Sequence, residues 1–236
     1  MTQELDLRGL LEGRVKTLEG EADATRQRVY GVTLGTVTSR LDPKGLGRVK
    51  VQFPWLSGQV DSAWARIATA WAGGSRGTYL LPEEGDEVLV AFRHGDLKYP
   101  YIIGFLWGDE DRPPEVTPLL ERRELKSKSG HKIVFDDFPG IQGLTLESQG
   151  GHTIELDDTI GGMRIAITDA SQNLSVVIDT VEGAIRIEST VGQIELSAKA
   201  GRISLDATAI DIHATGALSL KADGTVSVNG SMVRIN

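Results

Sequence analysis

The sequence contains no cysteine. That excludes disulfides, thiolate nucleophiles and cysteine-ligated metals, and leaves stability to backbone pairing and packing. No apolar run approaches the roughly 18 residues of a membrane span. The opening stretch, MTQELDLRGLLEG, carries acids and no apolar central region, so it reads as no secretory signal and assembly in the cytoplasm is expected. No segment is basic: residues 1–29 hold five basic and six acidic groups, residues 30–112 nine and ten, residues 113–121 two acids only, and residues 122–236 eleven and fifteen. Nucleic-acid binding by counterion release needs a basic footprint, so no nucleic-acid partner is expected. No P-loop occurs, no nucleophile elbow is expected among the many serines, and no cofactor is implied. Aromatics stop at Phe138 and prolines at Pro139. Stacked strands account for both absences: proline removes a ladder hydrogen bond, and a narrow stack has no room for rings.

What replaces them is a repeat. Between Gly183 and Asn236, apolar pairs separated by one residue recur: Ile185/Ile187, Ile194/Leu196, Ile203/Leu205, Ile210/Ile212, Leu218/Leu220, Val226/Val228 and Val233/Ile235. First members step by 9, 9, 7, 8, 8 and 7 residues. Period-two alternation marks strand, and fixed recurrence marks a stacked repeat. A period of about eight with two inward residues is too short to close around a core within one chain. Yet each such side chain gains ~1.5–3 kcal/mol on burial. Several chains sharing one core resolve this, and three faces give the smallest closed section. The expectation is an obligate homotrimer whose core is built from the first six pairs, Ile185 through Val228. Gly192, Gly201, Gly216, Gly224 and Gly230 are expected at corners with positive φ. A monomeric hexapeptide-type β-helix would instead need a period near six. His213 has the opposite parity to Ile210 and Ile212 and is expected to face solvent, so no axial metal is read from it.

Four segments follow. Residues 1–29 form a leader, with an irregular apolar stripe through Leu5, Leu7, Leu10, Leu11, Val15 and Leu18 that suits either a partly ordered arm or a docking helix. Residues 30–112 hold eleven of the thirteen aromatics, in part for a core. Turn signals divide them into strands over 30–38, 47–53, 62–70, 87–92 and 101–107, which suits a closed OB-type barrel. Residues 113–121 are a stiff, Pro-rich linker. Residues 122–236 form the β-stack, with further strands at 143–148, 163–168 and 174–179. It opens on two related segments, Gly130-His131-Lys132-Ile133 and Gly151-His152-Thr153-Ile154, each ending in Asp-Asp, at a 21-residue offset. Equivalent positions give His131 and His152 a structural reading. The pairs Asp136-Asp137 and Asp157-Asp158 point to opposite strand faces and are expected to end strands, not to act on a substrate.

The order of parts resembles a known family. The stretches Asp42-Pro43-Lys44-Gly45-Leu46-Gly47-Arg48-Val49, Gln52-Phe53-Pro54-Trp55, Trp64-Ala65-Arg66-Ile67, Leu81-Pro82-Glu83-Glu84-Gly85-Asp86 and Pro100-Tyr101-Ile102-Ile103-Gly104 are similar to the OB domain of phage baseplate assembly protein V and of VgrG-type spikes. The Gly-His segments are similar too. The resemblance implies an all-β protein, an N-terminal OB barrel followed by an intertwined trimeric β-helix, that serves as the central spike of a contractile injection machine. It implies a baseplate hub and tube at the N-terminal end, a target membrane pierced mechanically, and no enzyme activity. Only 29 residues precede the barrel, so a separate hub protein is expected. The short linker leaves no room for a lysozyme domain. The single His213 provides no HxH tip, so a PAAR-type tip protein is expected on Met232, Val233, Arg234, Ile235 and Asn236. The alternatives are an OB-fold single-stranded nucleic-acid-binding protein and a trimeric host-recognition fibre.

Overall fold

The computed structural model describes residues 28–56, 60–109, 111–114 and 121–234. The leader up to residue 27 and linker residues 115–120 lie outside them. Among the described residues, regular structure is all β apart from one 3-10 turn, Arg93–Gly95. Contacts divide the chain into Met1–Lys126 and Ser127–Asn236.

Ahead of residue 106 the strands are β1 (Val32–Ser39), β2 (Lys50–Gln52), β3 (Arg66–Ile67), β4 (Ala72–Gly73), β5 (Arg76–Gly77), β6 (Glu87–Phe92) and β7 (Pro100–Phe105). Five of them run in the order β2-β1-β6-β7-β3, and only the β3–β7 pair is parallel. Val49 and Ala65 exchange both backbone hydrogen bonds, at 3.0 and 2.7 Å, joining the β2 end to the β3 end. The ring of strands thus closes as the expected OB-type barrel. β4 and β5 form a separate hairpin.

Alternation fills the barrel. Val88, Val90 and Phe92 on β6 point inward and meet Val37, Val49, Val51, Phe53, Ala65 and Ile102. β-branched side chains suit this pleated interior. Phe53 and Phe92 are the only aromatics in that core, with rings 5.5 Å apart. The aromatic wealth therefore serves the surface more than the interior: Trp71, Tyr79, Phe105 and Trp107 are all exposed. β2 starts later than the apolar pattern predicts because Asp42 organises the preceding loop. Its carboxylate accepts the N–H groups of Lys44 and Leu46, both at 3.0 Å, and Arg48 clamps both oxygens at 2.8 and 2.7 Å. Gly45 and Gly47 take the positive φ the loop needs. β3 is shorter than predicted because Ser62 is diverted: its hydroxyl accepts the Val51 N–H at 3.1 Å and donates to the Ala63 carbonyl.

The second sheet contains β8 (Arg122–Lys126), β9 (Lys132–Phe138), β10 (Ile141–Glu147), β11 (Thr153–Asp157), β12 (Arg164–Thr168), β13 (Leu174–Asp179) and β14 (Ala184–Ser189), in sequence order. The pairings from β9 to β14 are all antiparallel. This meander is folded within one chain. From Thr190 to Arg234 the chain forms no strand pairing of its own. None of Gly192, Gly201, Gly216, Gly224 or Gly230 has a positive φ, contrary to expectation. A chain that bends between repeats without reversing needs no left-handed residue, whereas the reversing turns of the meander use one at Gly130, Gly140, Gly151, Gly161 and Gly183.

Candidate functional site

The register of the meander sorts its side chains by face. Ile133, Leu146, Ile154, Ile167, Val176 and Ile187 lie directly across from one another in one row, and Phe135, Leu144, Leu156, Ile165, Ile178 and Ile185 in the next. Successive cross-strand pairs of this kind make a continuous apolar stripe. It is uncovered: Phe135, Ile154, Ile167 and Ile187 are all exposed. The opposite face carries charge in neutralising pairs, Lys132 with Glu147 at 2.9 Å, Arg164 with Glu155 at 3.2 Å and Arg186 with Asp179 at 3.6 Å, around the buried Val134 and Ala166. An antiparallel sheet with one polar and one apolar face normally lays the apolar face on a core.

Ile185 and Ile187 thus end this stripe, on β14. The other predicted core residues continue it as a regular series. The first members Ile194, Ile203, Ile210, Leu218 and Val226 are 50–58% exposed, and the second members Leu196, Leu205, Ile212, Leu220 and Val228 are 62–69% exposed. Such uniform values at steps of seven to nine residues describe one repeated conformation. Met232, Val233 and Arg234 are exposed at its end, while Ile235 and Asn236 lie outside the described residues.

The same pair pattern extends upstream of where the repeat was recognised. Ile133/Phe135, Leu144/Leu146, Ile154/Leu156, Ile165/Ile167 and Val176/Ile178 precede Ile185/Ile187 at steps of 11, 10, 11, 11 and 9. Ten or eleven residues hold a five-residue strand and a reversing turn. The last step inside the ladder is nine, the same as the two that follow it, and the steps of seven and eight begin only after Ile203, wholly within the part that forms no strand pairing of its own.

One edge of the meander is fastened by the two histidines whose equivalent positions suggest a structural role. His131 Nδ1 accepts the Gln149 N–H at 3.1 Å, and His152 Nδ1 accepts the Ala170 N–H at 3.2 Å. In each turn a serine hydroxyl, Ser127 or Ser148, accepts the histidine's own N–H. A third copy follows at the same 21-residue offset, with Asn173 in the histidine position and Gln172 at φ 59° where the others have glycine. Asn173 Oδ1 accepts the Thr190 hydroxyl at 2.8 Å, and the Asn173 backbone carbonyl accepts the Thr190 N–H at 2.9 Å. Asp169 anchors this turn through the N–H of Leu174 at 2.7 Å and through Ser171; hydrogen bonds led by the Ser171 hydroxyl lower its carboxyl to about 2.

The chemical candidates do not converge. Asp136 caps the N–H of Phe138 at 3.2 Å, and Asp157 that of Thr159 at 2.9 Å. Hydrogen bonds from Thr159 hold the Asp157 carboxyl below its ordinary range. Among the described residues no group of three His, Cys, Asp or Glu is placed to hold a metal. Gly73-Gly74-Ser75-Arg76-Gly77 does have Gly-x-Ser-x-Gly spacing, which the sequence reading missed. It is the tip of the β4–β5 hairpin, not a strand-turn-helix elbow, and the cleft around it is lined by no histidine or carboxylate.

Comparison with known proteins agrees with this geometry. The family described as type VI secretion system/phage-baseplate injector OB domain matches residues 33–107, the barrel itself. Type VI secretion system spike proteins VgrG2a and VgrG5 of Pseudomonas aeruginosa are 32% and 38% identical over 133 and 126 residues, 49% of this chain in each case. VgrG3 of Vibrio cholerae is 32% identical over 110 residues, 42% of this chain. The matched stretch is only 11–15% of those relatives' own length. Residues 33–107 are thus similar to the type VI secretion system/phage-baseplate injector OB domain, and about half of the chain is similar to VgrG-type baseplate spike proteins.

Proposed function

We propose that this protein is the homotrimeric central spike of a contractile injection machine, with a structural and not a catalytic task. The single observation that carries the reading is residues 190–234: a regular series of apolar pairs, exposed, on a backbone that forms no strand pairing within its own chain. Peptide groups and apolar side chains in such a series must find partners elsewhere, and two further copies supply both. Each copy adds one face per repeat, so the three chains wind together below residue 189. Above it, the meander lays its apolar stripe against the equivalent stripes of the other two. The barrel and leader join the hub and tube. The C-terminal residues Met232 to Asn236 seat a PAAR-type tip, and contraction drives the rod through the target membrane. Assembly takes place in the cytoplasm.

Light scattering at micromolar concentration tests this directly. A mass of three chains is expected, and a monomer overturns the reading. The competing reading of the barrel as a single-strand binder has exposed aromatics in its favour. It predicts tight oligonucleotide binding at physiological salt, and the spike reading predicts none.

A further inference from the structure

The barrel carries two oppositely charged features that the spike reading leaves unused. One is a cleft of about 530 Å³ beside the β4–β5 hairpin. Trp71 and Tyr79 line it, 58% and 72% exposed, together with Leu46 and the guanidinium-bearing Arg66 and Arg76. Arg76 folds back across Gly73 of its own hairpin, so close that a Cβ there would lie 2.9 Å from its Nε. Among the described residues neither arginine has a carboxylate partner, although Arg40, Arg48, Arg122, Arg164 and Arg186 all do. A cationic, aromatic cleft without a carboxylate in its lining is out of keeping with a chain of net charge −8.

The other feature is the exposed turn that follows β7. Gly108 N–H donates to the Asp111 carbonyl at 3.0 Å and Arg112 Nε to the Asp109 carbonyl at 3.4 Å, so two carboxylates and one guanidinium flank Trp107, which is itself 70% exposed. Neither carboxylate is ion-paired among the described residues. Asp111 and Trp107 line a second cleft, and the two clefts share Leu80 and Leu81 as their common border.

We propose that these are the two halves of one interface: the acidic turn of one barrel, Asp109 and Asp111 with Trp107, docks into the Arg66/Arg76 cleft of the next copy. The inference rests on the trimer reading and deepens it. A three-fold ring needs a head-to-tail contact between two different patches of the same protomer, complementary to each other. Adjoining patches of opposite charge, each with an unpartnered aromatic, meet that requirement. A second copy is favoured over a nucleic acid because the chain as a whole is acidic, with a net charge of −8, which repels a long polyanion. The contact would lock the three barrels independently of the β-stack and fix their rotational order.

The absence of cysteine makes the test clean. Ser75→Cys, at the hairpin tip in the cleft, is combined with Asp111→Cys in the full chain and treated with a short bis-maleimide. Denaturing gels should show covalently linked trimers from the double variant and none from either single variant. Reversing the cleft charges (Arg66→Glu with Arg76→Glu) should lower the yield at least about tenfold, because interface charge pairs left without partners are costly. Adding Asp109→Arg in that background should restore part of it. If scattering gives a trimer that yields no linked trimer, or whose yield ignores charge reversal, this interface is wrong and the trimer reading stands. If scattering gives a monomer, both fail. Quenching of Trp71 by an oligonucleotide, with no cross-linking, would assign the cleft to nucleic acid instead.

Discussion

His131 and Gln149, eighteen residues apart, are joined by a single hydrogen bond, Nδ1 of the imidazole accepting the amide N–H at 3.1 Å. His152 and Ala170 repeat it, and Asn173 and Thr190 close the third rung. Each fastens one turn to the next along one edge of the meander. Because an imidazole whose Nδ1 accepts must carry its proton on Nε2, the bond also fixes the tautomer. His131→Ala should cost ~0.5–1.5 kcal/mol of stability, the usual net worth of one such bond. His131→Asn should cost less, since an asparagine Oδ1 can also accept at this edge, as that of Asn173 does from the Thr190 hydroxyl. Thermal unfolding of the three proteins measures the order. Equal losses for alanine and asparagine would mean that His131 acts through bulk and not as an acceptor.

The barrel depends on a different kind of contact, the bidentate grip of Arg48 on Asp42. The guanidinium, followed by the Lys44 and Leu46 N–H groups, holds the Asp42 carboxyl far below the usual carboxylate range, against the opposing pull of burial. A depressed folded-state pKa stabilises at pH above the unfolded value, about 3.9, and the contribution is lost as pH falls through the folded value. Asp42→Asn should therefore lower the barrel's melting temperature at pH 7 and lower it progressively less below pH 4. Tryptophan fluorescence reports the transition. A difference that stays constant with pH would remove Asp42 as a source of acid sensitivity.

Packing inside the barrel gives a prediction independent of charge. Ile102 is fully buried on β7, opposite Val90 on the neighbouring β6. Truncation to alanine removes its transfer energy and leaves a cavity, so Ile102→Ala should cost ~2–5 kcal/mol in denaturant unfolding. Ile103, its exposed neighbour, should tolerate alanine nearly without loss.

These contrasts show how far the sequence could be read. β13 was expected at Leu174–Asp179 and is found there, because alternation is strict and turns bound it on both sides. β6 matches equally well. Ser62–Ala70 was expected as a strand and yields only Arg66–Ile67, since a serine hydroxyl competing for backbone groups leaves no mark on apolar periodicity. The apolar repeat was legible from Ile185 onward but not from Ile133 to Ile178, where longer turns stretch its step. The third fastened turn was hidden because Gln172-Asn173 replaces Gly-His. Arg66, Arg76 and Asp111 were invisible as a set: proximity between strand, hairpin and turn is a property of the closed barrel.

Neighbouring residues with opposite parity test the assembly itself. Ile203 belongs to the apolar series, whereas Ser204 lies between Ile203 and Leu205 and points to the other face. In three chains around one axis, Ile203→Glu would place three carboxylates together in the apolar interior. Burying unpaired charge is so costly that the repeat must open or the carboxylates must stay protonated. Ser204→Glu would place its three charges outward in water, where surface substitutions cost little. Light scattering and thermal unfolding at pH 7 should therefore show an intact trimer for Ser204→Glu and a dissociated or markedly less stable one for Ile203→Glu. The reverse order would invert the facing of the whole series, because every pair from Ile194 to Val228 shares that parity. Equal tolerance at both positions would mean that the apolar pairs meet no common core, and the shared-axis assembly would fail with them.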